Sequence, residues 1–313
     1  MPDHIVSAHQ RSGLWEQIWY ANNGYYDKLD PIVRAKIQAL HLELLDQERS
    51  KALGVPLPAG SITNLPKEIE SRHVIDASYP LHDPALYSFD EGKLWIPWAT
   101  KVISGSRRGT RLKKYPEGAI VHWTAGHRNG LVNGAEFMKS SGMNYFLVSK
   151  EGEVGQGDPL DQWGYHAGAS SYAGVSGTVS DELVGFECQA AGNLRKNGEF
   201  FYPWWDNGKN LESNRIPKEE VVYSAKRGNI SPGYYHAFTQ HQMQGLRKAL
   251  CWLHLNKPSV FQIKLIVGHD EVSPGRKSDP GAALIDPQGN PITMEEFRDM
   301  IADDVKIIQS NRK

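Results

Sequence analysis

The sequence predicts an α/β domain from about Trp95 to the C-terminus, preceded by a mainly helical and irregular extension over residues 1–92. Three observations predict it. Short apolar runs of strand length alternate with helical periods after Trp95. Two amphipathic periods near the C-terminus carry start or stop signals of helices. Residues 55–92, rich in Pro, Ser, Asp and Gly, follow neither period and separate this region from one earlier helical pattern.

That earlier pattern begins at Asp30-Pro31, an N-cap followed by a proline suited to the first helical position. Val33, Ile37, Leu40 and Leu44 recur at helical spacing, and Gly54 closes the helix. Residues 118–123 form a short apolar strand, and 133–139 a short helix. Tyr145–Ser149 is a strand that Lys150-Glu151-Gly152-Glu153 turns back as a hairpin. Leu183–Cys188 is a third strand. Residues 193–233 show no clear period. This polar and aromatic insertion contains Phe200-Phe201-Tyr202-Pro203-Trp204-Trp205, and serves either ligand contact or surface packing. Residues 236–255 place Phe238, Met243, Leu246, Leu250 and Leu253 on one helical face, with Pro258 just beyond. Phe261–Val267 is a further strand that delivers His269. Thr293-Met294-Glu295-Glu296 is a capping box. It opens a last helix with Phe297, Met300, Ile301, Val305 and Ile308 inward.

Length and composition bound the function. The 313 residues make one large domain or two ordinary ones, and 40% hydrophobic content is enough for a core. A formal charge of −1 argues against nucleic-acid binding through phosphate neutralisation. The local basic run from Arg107 to Lys114 is a solvated linker or a small anion site. Cys188 and Cys251 form no CxxC pair, so they read as small core residues of a reducing compartment. The N-terminus lacks a basic and apolar leader, and no run approaches 18 apolar residues. The expectation is a cytoplasmic chain without membrane insertion.

The chemistry concentrates in Gly268-His269-Asp270-Glu271-Val272-Ser273-Pro274-Gly275-Arg276-Lys277-Ser278-Asp279-Pro280-Gly281. Its prolines and glycines predict a rigid loop, neither helix nor regular strand, bracketed by His269 and Asp279. His122 ends the apolar strand Ala119–His122. If the strand ends converge on one sheet edge, His122, His269 and Asp279 make a three-ligand set with a fourth tetrahedral position open, as in a catalytic zinc site. Glu187, in an otherwise apolar strand, is either the general base or an edge-strand surface residue. Lys277 either faces a developing oxyanion or is a solvated loop lysine.

Four segments then follow in order: Ile120-Val121-His122-Trp123-Thr124-Ala125-Gly126, Trp163-Gly164-Tyr165-His166-Ala167-Gly168, Val184-Gly185-Phe186-Glu187, and Gly268-His269 through Asp279-Pro280-Gly281. Together they resemble the zinc N-acetylmuramoyl-L-alanine amidases of the type-2 family, in the branch of muropeptide amidases and phage endolysins, related to peptidoglycan-recognition proteins. The resemblance covers about residues 95–313. It implies a central mixed β-sheet flanked by helices, and one Zn²⁺ on His122, His269 and Asp279. It implies Glu187 as base, Lys277 as transition-state stabiliser, and His166 lining the substrate groove. Trp123, Trp163 and Tyr165 would stack on sugar or peptide. Some members carry a catalytic tyrosine where this chain has Asn144; Tyr145 is one place off, so Asn144 is kept as a substrate-groove residue and no catalytic tyrosine is assigned. The implied substrate is peptidoglycan or a soluble muropeptide, cut between N-acetylmuramic acid and L-alanine. The extension over 1–92 favours a lytic enzyme released to the cell wall by a holin-type route over a cytosolic recycling amidase or a binding-only module.

Overall fold

The structure, a computed structural model, describes residues 81–312 apart from 88–92, 103–104, 106, 127–129, 174 and 176–177. Chain contacts divide the protein into Met1–His73 and Val74–Lys313, and every described residue belongs to the second unit. The helix expected after Asp30-Pro31, and the extension as far as residue 80, lie outside the described residues. The strands are β1 Thr100–Lys101, β2 Gly109–Thr110, β3 Gly118–Trp123, β4 Phe146–Val148, β5 Val154–Gln156 and β6 Gln162–Trp163, followed by β7 Leu183–Cys188, β8 Asn193–Asn197, β9 Phe200–Pro203, β10 Val221–Ser224, β11 Gly233–His236 and β12 Ile266–Gly268. The helices are α1 Leu131–Ser141, α2 Val179–Glu182, α3 Gln240–Asn256, α4 His269–Val272 and α5 Met294–Ser310.

Six strands form a mixed sheet in the order β1-β5-β4-β7-β3-β12. All neighbours are parallel except the β4–β5 hairpin. The expected architecture, a mixed sheet between helices, is therefore present. Strand alternation explains its two faces. Ala119, Val121, Phe146, Val184, Phe186, Cys188 and Ile266 point into the larger core, with Leu246, Leu250 and Leu253 of α3 and Phe297, Ile301, Val305 and Ile308 of α5. Phe146 and Phe186 stack there with ring centroids 4.7 Å apart. On the opposite face Ile120, Leu183 and Val267 meet Ala167, Val179 and Val272. Beside them Tyr145 and Leu147 meet Ala135 and Met138 of α1. Cys188 and Cys251 are buried and unpaired, as expected for core residues. Leu86 and Tyr87 join the larger core, and the His82 Nε2 lies 2.7 Å from Asp304 of α5.

Local chemistry sets the element ends. Thr239 and Gln242 form a capping box for α3, and Thr293 and Glu296 form the expected one for α5; each cap contributes about 1 kcal/mol. Helix α1 is longer than predicted and stops at Gly142, left-handed at φ 67°. Several expectations need correction. Of the strand expected over 261–267, only Ile266 and Val267 lie in β12; Ile263–Leu265 is a 3₁₀ turn, because the Leu265 N–H closes on the Gln262 carbonyl. The segment after Gly268 is also not all loop. His269–Val272 is one helical turn, held because Glu271 accepts from the Gly268 N–H at 2.9 Å.

The insertion, expected to be aperiodic, folds as an antiparallel sheet ordered β10-β11-β8-β9. A polar knot helps tie it to the main sheet. His236 is wholly buried, accepts from the Ala191 N–H and bonds Glu220, and Glu220 also takes Lys150 from the β4–β5 turn at 2.6 Å. The His236 hydrogen bond, helped by Lys150, holds the Glu220 carboxyl down at about 2 against burial. A carboxyl depressed in the fold contributes stability that is complete above its unfolded pKa of about 4.5 and is lost as the pH falls towards 2. Glu220→Gln is therefore expected to cost about 1–3 kcal/mol at pH 7. That cost should shrink at pH 3.5 in urea titrations of both proteins; one that does not change with pH would contradict this assignment. The Arg107–Lys114 run is also more structural than a solvated linker. Arg107 pairs with Asp158 at 2.5 Å, and Arg111 is buried with its guanidinium on the carbonyls of Ser180, Asp181 and Leu183.

Candidate active site

The site is built where β3, β7 and β12 end. Ligands of open α/β sheets collect at such carboxyl ends. His122 pairs in register with Glu187, and Gly268 pairs with Val121, so His269 enters at the level of His122. His122 and Glu187 project from the same sheet face as Ile120 and Leu183. The loop after α4 returns Asp279 to this level, where its carbonyl accepts from the Asp270 N–H at 2.8 Å.

The three expected ligands converge. His122 Nδ1 lies 2.9 Å from His269 Nδ1, and Asp279 Oδ2 is 3.0 Å from the first and 2.9 Å from the second. All three side chains are buried. Their outer hydrogen bonds fix the tautomers. His269 Nε2 donates to the Ala167 carbonyl at 3.0 Å, which leaves its Nδ1 a bare lone pair. His166 Nε2 donates to the Leu183 carbonyl at 3.0 Å, so its Nδ1 accepts from His122 Nε2 at 3.3 Å. That makes His122 Nδ1 a second bare lone pair. Two imidazole lone pairs and a carboxylate oxygen, with no proton assigned among them, face one point. Such a donor set fits a divalent cation, and the carbonyl partners are the supports that orient metal-binding histidines. Burial drives His122 down to about 4, with Asp279 opposing and His269 adding to the shift. Burial would raise the Asp279 carboxyl, but the two histidines beside it outweigh burial and hold it below the usual carboxylate range.

Glu187 carries the other half of the site. Among the described residues its Oε2 is buried without a hydrogen-bond partner. Burial first, and the Asp279 charge second, push its carboxyl well above the usual range, while Lys277 pulls the other way. Lys277 is exposed, and its charge reaches both Glu187 and His122.

The remaining expected residues separate. His166 is buried, with both ring nitrogens used by His122 and Leu183; it braces His122 and does not line a groove. Gly185 makes room for it, since a Cβ there would stand 2.7 Å from His166 Nδ1. Asn144 lies three residues before Leu147, the register partner of Glu187, and so towards the far end of the parallel strands. Its amide bonds Asp158 at 2.5 Å, away from the three ligands. Tyr145, not Asn144, shares the face of Glu187: it is buried beside Gly185, and burial plus the Glu187 charge raise its hydroxyl pKa. Trp163 and Tyr165 form an edge-to-face pair at 5.5 Å, with Arg108 over the Tyr165 ring at 4.9 Å. Tyr165 is 48% exposed, available to a ligand. Trp123 is half-buried between the two sheets, against Tyr235 and Gly192. In the inserted sheet Trp205 Nε1 donates to the Ala125 carbonyl at 2.6 Å, next to the end of β3, while Trp204 is exposed.

One supporting residue escaped sequence reasoning. Arg276 donates to the carbonyls of Ala167 and Ala169 and to the hydroxyls of Ser170 and Ser273, at 2.6–3.2 Å. It staples the segment holding the Ala167 carbonyl to the loop that carries Asp279. Its place beside Lys277 in a Pro-Gly run was the only signal.

Comparison with known proteins gives one family. The sequence profile described as N-acetylmuramoyl-L-alanine amidase matches residues 112–282, more than half of the chain. No curated protein sequence matches the chain. Among solved structures, the endolysin N-acetylmuramoyl-L-alanine amidase LysCS of Clostridium intestinale URNW is 16% identical, with 67% of this chain and 98% of that one covered and a TM-score of 0.39. AmpD of Citrobacter freundii is 20% identical, with 60% and 86% covered and a TM-score of 0.34.

Proposed function

The chain belongs to the N-acetylmuramoyl-L-alanine amidase family, in its type-2 branch, and from that premise we propose that it is a zinc enzyme which cuts the muramoyl–L-alanine amide of polymeric peptidoglycan. The observation that carries the metal assignment is the convergence of two bare Nδ1 lone pairs and the Asp279 carboxylate within 3.0 Å of one another. A tetrahedral zinc with bonds of about 2.0–2.1 Å needs donors roughly 3.3 Å apart, a small outward adjustment. When bound there, zinc would supply Lewis-acid polarisation of the carbonyl and acidify the attacking water.

The chain's own residues divide the rest. Glu187 takes the proton from the attacking water at its orphaned Oε2 and returns it to the departing nitrogen, so that the amine leaves neutral. Lys277 presents its ammonium to the carbonyl oxygen as negative charge develops there. Tyr165, with half-buried Trp163 against it, offers exposed ring surface to sugar or peptide. Lys277→Ala is accordingly expected to lower kcat by about 10-fold or more with little change in KM, because its charge meets an anion formed only in the transition state. A change confined to KM would make Lys277 a substrate-binding residue.

The lytic reading is favoured over muropeptide recycling by chain devoted to more than the catalytic sheet: residues 1–92 and the inserted sheet with exposed Trp204 and Phe200. Such an enzyme would be cytoplasmic until a holin-type lesion releases it. Among the described residues no helix is long and apolar enough to cross a membrane. Digestion of intact sacculi and of anhydro-muropeptides, followed by mass spectrometry, tests the reading. Glycan chains with unsubstituted muramic acid from sacculi are expected. Activity on soluble muropeptides alone would favour recycling, and cuts within the stem peptide would refute the amidase assignment.

A further inference from the structure

We propose that Asn193, the first residue of the inserted sheet, is a positioning residue that sets Asp279 and Lys277 through Ser278. The inference rests on the reading of Asp279 as a metal ligand. Ser278 stands between the two residues, and its Oγ donates to Asn193 Oδ1 at 2.9 Å. Asn193 is not a loose surface amide. It is the register partner of Tyr235 on β11, so the two side chains share one face of the inserted sheet. Tyr235 is itself wholly buried and donates its hydroxyl to the Ser231 carbonyl at 2.7 Å.

The same pair holds the chain on the other side of the ligand. Gly281 is left-handed at φ 52°, and a Cβ there would stand 2.6 Å from the Tyr235 ring. Only glycine allows both that backbone and that approach. The inserted sheet thus grips residue 278 through Asn193 and residue 281 through Tyr235, with Asp279 and Pro280 between them.

The need for such a grip follows from the local backbone. Residues 277–279 are neither helix nor strand. The Lys277 N–H bonds the Ser273 carbonyl at 3.0 Å and the Asp279 carbonyl accepts from Asp270 at 2.8 Å. Between those two bonds the Ser278–Asn193 contact is the hydrogen bond that ties the chain down. The Lys277 side chain has no hydrogen bond or ion pair among the described residues, so its direction is inherited from its neighbour. A buried ligand carboxylate and a transition-state cation both need placement within about 0.5 Å. Breaking the Ser278–Asn193 bond should loosen both at once, without touching substrate.

The test uses the full chain with zinc. Zinc affinity is read by competition with a chromophoric chelator, and the ligand field by the visible spectrum of the cobalt(II)-substituted protein. Turnover is read with labelled cell wall. Asn193→Ala and Ser278→Ala are each expected to weaken zinc by about 10- to 100-fold and to lower kcat by a similar factor, with KM within about twofold. Both should alter the cobalt spectrum. The double variant should be little worse than either single one, since one bond is lost in each. Ser278→Thr, which keeps the hydroxyl, should restore affinity, spectrum and kcat. Folded Ser278→Ala with wild-type zinc affinity, spectrum and kcat would overturn the proposal. So would a loss confined to KM, or one that follows melting temperature and is not restored by Ser278→Thr. Should Asn193→Ala fail to fold, the two Ser278 variants carry the test. A wild-type protein that binds no zinc would instead overturn the reading of Asp279 as a ligand.

Discussion

Asp279→Ala is expected to abolish zinc retention and amide hydrolysis together, and His122→Ala to do the same. Asp279 is the only anion of the ligand set, and its Oδ2 sits within 3.0 Å of both histidine Nδ1 atoms. Without it, two neutral imidazoles face each other across 2.9 Å with lone pairs and no counter-charge. Removing His122 leaves one imidazole, and strands the His166 Nδ1 that now accepts from it. Loss of a group that merely supports a ligand costs about 10- to 100-fold in affinity, so loss of a ligand should exceed 10²-fold. Turnover should fall to background. Equilibrium dialysis against zinc and dye release from labelled cell wall read the two losses. A variant that kept one zinc per chain and normal turnover would remove its residue from the set.

Glu187→Gln should behave in the opposite way towards the metal. Glu187 is a neighbour of His122 in register but not one of the three converging donors. Zinc should therefore be retained while kcat drops by about 10² or more, the range expected for a positioned proton carrier. A second consequence follows from its burial. Its carboxyl is held well above its ordinary range, with Oε2 lacking any hydrogen-bond partner among the described residues. A charged carboxylate is disfavoured in such a setting, so the neutral isostere should leave the melting temperature of the metal-free protein unchanged or raise it. Loss of activity without loss of stability is the signature of a group retained for chemistry. Normal turnover in Glu187→Gln would place the base elsewhere.

The meeting of His122 and His269 was legible because His122 lies near the end of β3 and His269 follows β12, and adjacent parallel strands bring their ends to one level. The α/β order was legible from β3, β7, α3 and α5, whose burial is nearly all apolar. The inserted sheet was not. β8 reads Asn-Leu-Arg-Lys-Asn, with Leu194 its single buried residue, so alternation is hidden. A local signal did exist: Asn197-Gly198-Glu199 ahead of Phe200-Phe201-Tyr202, with left-handed Gly198 at φ 58°, is a two-residue hairpin connection. The turn α4 was hidden by the prolines and glycines after it, although Glu271, three residues after Gly268, matches the acidic half of a capping box. His166 could not be placed from sequence. Its role depends on Gly185 leaving space across the sheet, a relation between segments that no local pattern records. Asn144 and Tyr145 show the same limit: a strand alternates faces, so a shift of one residue decides which of them meets Glu187.

The most direct measurement is the anomalous difference map at the zinc edge from crystals of the full chain grown with zinc. One peak is expected, within about 2.0–2.2 Å of His122 Nδ1, His269 Nδ1 and Asp279 Oδ2. No peak at that point, or a zinc held by other residues with these three side chains too far apart to share it, would contradict the account.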